Sequence, residues 1–402
     1  MVTVTQLREF IRYAWERAPA VRAQLNSVGM TPEDFKNLDD LVKIPVLPKK
    51  KLMELQRDHP PFGGWNAVSV GEMQRIFTSP GPIYDPQGAG EDFWRWAPAL
   101  REAGFGPGDL VLNTFSYHLT PAGFMFDSAL RSLECVVIPA GVGNVEIQVE
   151  MMKSLGATGF TGVPSFLMAL IKKAEEKGYQ FREEFNLRKA FVTAEKLPET
   201  MRTHLAQDYG IEVFQGYGTA DAGCIAYECT ERKGMHVGKE VVVEIVNPDT
   251  GDPVPPGETG EVVVTLLNKT YPLVRFGTGD LASLLTGSCP CGKETPRLSG
   301  IFGRVDEAVK VRGLFVHAQQ IKKIFDDFPE IKRYQGRVNR SGYRDELELW
   351  VEPAQTDTFN SGLVARIKDR AREILRLRVL VRQVAPGTIK EESVLIDRRK
   401  WD

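Results

Sequence analysis

The spacing of apolar residues changes along this chain, and each change predicts a different kind of element. Near the start, Phe10, Ala14 and Ala18 fall on one helical stripe, and Pro19 limits the helix they define. The pattern stays helix-and-turn to about residue 60, and within it LVKIPVLPKKKLMEL (41–55) joins an apolar, proline-bearing connector to a basic helix. From 108 to 215, short β-branched runs alternate with helix-length segments. GDLVLNTF, ECVVIPAG, GFTGV and KAFVTAE read as strands, and PAGFMFDSALRSL, VEIQVEMMKSLG, SFLMALIKKAEEKG and LPETMRTHLAQDYG as helices. That alternation predicts parallel strands with helices on their faces. EVVVEIVNPDTGDPVPPGETGEVVVTLLN breaks it, because β-rich runs around Gly, Pro and Asp turns predict antiparallel hairpins. Beyond Asp306, VKVRG, AQQIKKIFDDF, ELELWV, LVARIKDRAREILRL and RVLVRQV outline a small α+β unit. The predicted class is α/β: a large domain over 1–305, with parallel and mixed sheets, flanking helices and a β-rich subdomain, then a small α+β domain over 306–402.

Composition narrows the function. At 402 residues the chain exceeds one ordinary domain. Lys+Arg 51 against Asp+Glu 53 leaves a net charge of −2, with no basic surplus to attract nucleic acid. The five cysteines, an odd count, make no disulfide framework. The amphipathic, charged N-terminus does not read as a signal peptide, and no apolar run approaches the roughly 18 residues of a membrane span. A cytoplasmic protein without a nucleic-acid or membrane partner is expected. Homodimers are common among enzymes of this size, but nothing in the sequence specifies one.

The most informative stretch runs from Tyr271 to Gly313: YPLVRFGTGDLA, then CPCGK, then GRVDEAVKVRG. It offers an acid for a sugar diol (Asp280), a guanidinium for phosphate or sugar oxygens (Arg304) and a lysine-bearing segment (Lys310). An RxGTGD turn followed about twenty residues later by GRxDExxKxxG resembles the adenylate-forming (AMP-binding) enzymes, and most closely their phenylacetate–CoA ligase-like branch, whose members are short and carry a Cys-rich insertion here. The resemblance covers nearly the whole chain and is strongest from about Gly216 to Gly313. It implies ATP, Mg²⁺ and coenzyme A as cofactors and a small-molecule carboxylic acid as substrate.

The resemblance also implies roles along the chain. Thr78, Ser79 and Gly81 match a flexible loop that cradles the ATP phosphates, although Pro80 and Pro82 each remove a backbone donor. Ala194 and Glu195 stand at the adenine turn. In Gln215-Gly216-Tyr217-Gly218-Thr219-Ala220-Asp221, Tyr217 offers a ring to the adenine and Asp221 a carboxylate to Mg²⁺. Asp306 is the pivot about which a mobile small domain swings, and Gly313 lets the chain run close to the pantetheine of CoA. The family's C-terminal lysine, which stabilises charge on the α-phosphate, finds Ser393 at its aligned place; Lys390 is the nearest substitute. Tyr117, His118 and Phe124 follow the GDLVLNT strand, where the family binds its acid, and their aromatic character fits an aryl or arylacetic acid. Cys229, His236, Cys289 and Cys291 provide three thiolates and an imidazole, the composition of a closed structural zinc site.

Three functions remain open on the sequence. The first is an ATP-dependent acid–CoA ligase working through an acyl-adenylate. The second is an adenylating enzyme that hands the adenylate to an acceptor other than CoA. The third is a catalytically weak nucleotide- or acid-binding relative.

Overall fold

Five apolar runs lie side by side as a parallel sheet. In chain order the strands of the first unit are β1 (Leu47–Pro48), β2 (Arg75–Ser79), β3 (Ile83–Gln87), β4 (Leu110–Asn113), β5 (Val136–Pro139), β6 (Gly159–Gly162), β7 (Lys189–Val192), β8 (Glu212–Thr219), β9 (Gly223–Glu228), β10 (Met235–Val237), β11 (Val241–Val246), β12 (Gly260–Leu266), β13 (Phe276–Leu284) and β14 (Arg297–Arg304). In this computed structural model every residue is described except 1, 80–81, 259, 306–308, 313, 317, 342–343, 355–358, 376, 391–392 and 400–402. The chain forms two units, Met1–Val305 and Asp306–Asp402.

In the first unit, twelve strands among the described residues make one sheet, in the order β11-β12-β13-β14-β10-β9-β8-β7-β6-β4-β5 with β1 beside β13. From β5 to β8 the pairs are parallel. From β8 to β11 they are antiparallel. Helices Val145–Ser154, Pro164–Glu176 and Glu199–Tyr209 supply the apolar faces that cover parallel strands. Pro164 opens its helix at the first position, where a missing N–H is harmless. Gly210, at φ +68°, closes the next one. The N-terminal helix Val4–Arg17 buries Leu7, Phe10, Ile11 and Ala14 against the β-rich half, and a Thr3/Gln6 capping box starts it.

Strand β8 is where the two kinds of sheet meet. Lys189–Val192 pairs in parallel with Glu212–Gln215, while Gly216–Thr219 pairs antiparallel with β9. Ligands in open α/β sheets bind where the topology switches in this way. Gly216 sits at the changeover because a Cβ there would come within 2.8 Å of the Phe191 ring and 2.9 Å of Trp96.

In the second unit, β15 (Val309–Val311) and β16 (Leu314–Val316) form a hairpin. Strands β17 (Ile331–Ser341), β18 (Arg344–Pro353), β19 (Leu380–Gln383) and β20 (Leu395–Asp397) form a sheet in the order β19-β18-β17-β20. Helices Ala318–Phe325 and Ser361–Leu375 share a core with that sheet through Ile321, Ile324, Ile367 and Ala371.

Candidate active site

Asp280 and Arg304 are direct cross-strand partners on β13 and β14, and Arg304 Nη1 donates to Asp280 Oδ1 at 3.2 Å. The hydroxyl of Tyr217, from the antiparallel half of β8, donates to Asp280 Oδ2 at 2.8 Å and lies 3.1 Å from Thr278 Oγ1. The motif residues of three strands therefore converge on one carboxylate. Gly279, at φ +77°, makes the approach feasible: a Cβ there would sit 3.0 Å from Arg304 Nη2. Burial, then the Asp280 charge, pushes the Tyr217 phenol well above its usual value, so it remains a donor. The Tyr217 ring is only 7% exposed and belongs to the core. What it presents to the site is the hydroxyl, whereas the sequence suggested an adenine-stacking face.

A second set of groups lies beside the first. Asp221, in the turn after β8, accepts from Lys49 Nζ at 2.7 Å, with the carboxylate fully buried. Lys49 is the first residue of helix Lys49–Asp58, where a cation opposes the helix dipole. Burial works against its charge, but attraction and hydrogen bonding from Asp221, aided by Asp85, more than offset that and hold the ammonium above its usual value. Asp85, on β3, is 3% exposed. Burial, then the neighbouring Asp221 charge, raises its carboxyl well above the usual range. Neither Lys49 nor Asp85 stood out in the sequence. Lys49 lies in a KKK run that reads as a solvated helix face, and Asp85 in a turn-like IYDPQ string.

The expected phosphate loop takes an unexpected form. Thr78 and Ser79 lie in β2, and Ser79 pairs with Ile83 of β3. The Thr78 N–H is engaged by Leu119 O at 2.8 Å. Gly81 lies outside the described residues, as do Asp306 and Gly313.

The residues expected beside the adenine are held by hydrogen bonds to neighbouring elements. Gln215 donates from its backbone and side chain to Glu228, at 3.0 and 2.8 Å. Glu228 is gripped in turn by Arg202 through two bonds of 3.0 and 2.7 Å, a buried bidentate pair. Thr193 Oγ1 donates to Gly216 O at 2.7 Å. Ala194 is exposed at φ +71°. Glu195 accepts from Ser165 N at 3.4 Å, near the start of helix Pro164–Glu176. Gly218 packs against Gly223, and Thr219 Oγ1 accepts from Ala222 N at 3.1 Å, which shapes the turn that carries Asp221.

On the proposed acid side, Tyr117 is locked by Asn113 at 2.8 Å and Asp127 at 3.1 Å, with its ring edge-on to Phe124. Phe124 is half-buried, 5.4 Å from the Phe77 ring and under the Arg75 guanidinium. His118 is exposed. In the second unit, Lys310 pairs through its backbone with Phe315, while its side chain lies outside the description. Lys390 is exposed.

The cysteine prediction assembles in three dimensions. One ligand atom from each of Cys229, His236, Cys289 and Cys291 lies within 4.8 Å of the others. The Cys229 and Cys289 sulfurs are 3.8 Å apart. That is the edge of a tetrahedron with bonds of about 2.3 Å, the zinc–thiolate length. Cys291 Sγ is 3.3 Å from His236 Nε2, and His236 Nδ1 is 3.0 Å from Thr295 Oγ1, an outer partner that orients the ring. Burial holds His236 below its usual value, which favours the neutral imidazole that a ligand must be. The donor set fits a closed zinc site.

Comparison with known proteins bears on the same residues. The AMP-binding enzyme family matches residues 93–266. A phenylacetate-coenzyme A ligase of Thermus thermophilus is 32% identical over 87% of this chain and 80% of its own. A phenylacetate-coenzyme A ligase of Escherichia coli is 30% identical over 86% and 80%. A solved structure of 2-hydroxyisobutyryl-CoA ligase, in complex with 2-HIB-AMP and CoA in the thioesterification state, covers 99% of this chain with 89% of its own, at a TM-score of 0.85 and 26% identity. With the nucleotide-side motifs meeting at one carboxylate and relatives this similar over most of its length, the chain belongs to the adenylate-forming, AMP-binding enzymes, in their phenylacetate–CoA ligase-like branch.

Proposed function

We propose that this chain is an ATP-dependent carboxylic acid–CoA ligase that works through an acyl-adenylate, with an aryl or arylacetic acid as its substrate. The observation that carries the reading is the meeting of Asp280, Arg304 and Tyr217 beside the Asp221–Lys49 pair, in a chain whose relatives are named phenylacetate-coenzyme A ligases.

In this reading Asp280 accepts from the ribose hydroxyls, and Arg304 forks to ribose or phosphate oxygens. The Gln215–Gly216 turn and Ala194 flank the adenine. Asp221 would hold Mg²⁺, which would supply positive charge to offset that of the phosphates. Lys49 provides a fixed ammonium on the same wall. The acid's carboxylate oxygen attacks the α-phosphorus, and the bond to pyrophosphate breaks. The sulfur of CoA then attacks the acyl carbon, AMP leaves with the electron pair, and the thiol proton passes to solvent. Lys390 is the second unit's candidate for stabilising charge at the α-phosphate. Tyr117 and Phe124 offer the aromatic contact for the acid. The thiol cluster is assigned structural zinc. A cytoplasmic location completes the reading.

The test is pyrophosphate exchange over aryl, arylacetic and short aliphatic acids, followed by CoA-dependent release of AMP. Exchange with an arylacetic acid and AMP release only with CoA is the expected result; exchange without a CoA requirement points to another acceptor. One observation favours a weaker enzyme: in the sequence between Ser79 and Ile83, Pro80 and Pro82 have no N–H to offer a phosphate. ATP binding by calorimetry with no exchange for any acid would replace the ligase reading with that one.

A further inference from the structure

Arg95 carries a charge that the described residues do not answer. It follows β3, between Trp94 and Trp96, with a left-handed backbone at φ +63°. Its Nη2 donates to Ala222 O, and its Nη1 donates to Phe93 O at 3.3 Å. Both partners are neutral carbonyls. Nε has less than 1 Å² of exposed surface and no hydrogen-bond partner among the described residues. No carboxylate of the described residues makes an ion pair with the guanidinium. Asp92 spends its two oxygens on the N–H groups of Trp96 and Ala97, at 2.9 Å each. Asp92 and the exposed Glu240 attract Arg95 only from a distance. Burial pushes the Cys224 thiol well above its usual value, so that neighbour stays neutral.

The position of Arg95 ties it to the site. Ala222 follows Asp221 in the turn after β8. The Trp94 carbonyl accepts from Cys224 N at 2.9 Å, which lays this segment along the start of β9. The Trp94 ring is 5.8 Å from Phe77, and Phe77 is 5.4 Å from Phe124. Arg95 therefore stands where the aromatic wall assigned to the acid meets the turn that bears Asp221. Withdrawing a guanidinium from water is costly unless an opposite charge answers it. The residue is only partly buried, so an anion arriving from outside can supply that charge. The reacting carboxylate is a poor match. It loses its charge when the adenylate forms, and the guanidinium would stand unpaired for the second step. Another anionic group on the same acid keeps its charge through both steps.

We propose that Arg95 is a specificity residue that holds a second carboxylate, so that the substrate is an aryl or arylacetic dicarboxylic acid with one carboxylate activated and the other gripped. The inference rests on the ligase reading for the site and for the carboxylate that reacts. A guanidinium pairs with a carboxylate through two parallel N–H bonds. Of its five N–H groups, the two carbonyl bonds leave enough for that pair.

The test compares phenylacetic acid with its ortho-, meta- and para-carboxy derivatives on the intact chain, by calorimetric binding with AMP present and by pyrophosphate exchange. In wild type, one of the diacids is expected to bind about tenfold or more tightly than phenylacetic acid, the scale of a hydrogen bond to a charged group. The carboxamide of that diacid, equal in size and uncharged on the ring substituent, should lose the advantage. Arg95→Met is expected to erase the preference, and Arg95→Lys to restore part of it. If neither variant folds, the carboxamide decides on wild type alone. The proposal is overturned if no diacid outbinds phenylacetic acid, or if the preference survives in the carboxamide or in Arg95→Met. A folded Arg95→Met that weakens every acid alike overturns it too, and makes the bond to Ala222 O a brace for the Asp221 turn. Exchange with phenylacetic acid and no favoured diacid sinks the inference alone. A favoured diacid with no exchange for any acid sinks the ligase reading alone.

Discussion

Tyr217→Phe isolates one hydroxyl in the proposed nucleotide grip. The ring keeps its packing, because Phe has the same shape and the side chain is almost wholly enclosed. What disappears is the 2.8 Å bond to Asp280 Oδ2. Thr278 cannot replace that donor, since its own hydroxyl donates to Val262 O at 2.9 Å. A hydrogen bond to a charged acceptor contributes about 1.5–3 kcal/mol. Asp280 keeps Arg304, so a loss of stability near the lower end, about 1.5 kcal/mol, is expected on urea unfolding. If Asp280 holds the ribose diol, its freed carboxylate must be reordered on binding, and AMP affinity should fall about tenfold, which is about 1.4 kcal/mol. Calorimetric titration with AMP reads this directly. Because the phenol is held well above its usual value, the ratio of wild-type to variant affinity should be flat between about pH 6 and 9. Unchanged AMP affinity together with the expected loss of stability would refute the reasoning and make the Tyr217–Asp280 bond purely architectural.

Other outcomes follow from the same structure. Purified protein is expected to carry one zinc; Cys289→Ser should lose it and melt about 5 °C lower or more, roughly a 2 kcal/mol effect in a chain of this size. A chromogenic zinc assay after thiol modification measures the content, and full zinc in the variant would refute the site. Arg202→Met leaves Glu228 charged and buried, and should cost about 3–5 kcal/mol, whereas Arg202→Met with Glu228→Leu should recover most of it; urea unfolding of both variants decides. Asp40 accepts from the backbone N–H groups of Lys36 and Asn37 and from Lys43, and these bonds, the Lys43 one first, lower its carboxyl from 3.8 to about 2. A folded value below the unfolded one stabilises above the unfolded value and is lost as pH falls through the folded one. Asp40→Asn should therefore cost about 2 kcal/mol at neutral pH, with the difference closing as pH falls from 3.8 toward 2.

The parallel half of the fold was legible because its inner strands are covered on both faces: Ala190, Phe191 and Val192 are all fully buried, and such strands read as plain apolar runs between helical segments. Strand β17, IKRYQGRVNRS, was not legible, because polar side chains alternate along it and dilute the β signal. The β2–β3 hairpin was hidden by Pro80, Pro82 and Pro86, residues that ordinarily mark loops. Within the site, Asp280 and Arg304 could be read because they sit in a spaced motif that packing does not demand. Lys49 and Asp85 could not, because their meaning comes from Asp221, which lies 172 residues from Lys49 in sequence. Only the long-range fold turns a surface-like lysine into the partner of a buried carboxylate.

Strand β8 hydrogen-bonds to β7 in one direction and to β9 in the other, so neither ladder can slip by a residue without tearing its counterpart. The segment that carries Gln215, Gly216 and Tyr217 is clamped like a shared rung between two ladders. Descendants of this chain that acquire a new acid or acceptor must therefore do so by reshaping peripheral loops, while the central rung stays as it is. Amides along β8 should accordingly be among the last in the molecule to exchange with deuterium, opening only when the whole unit does.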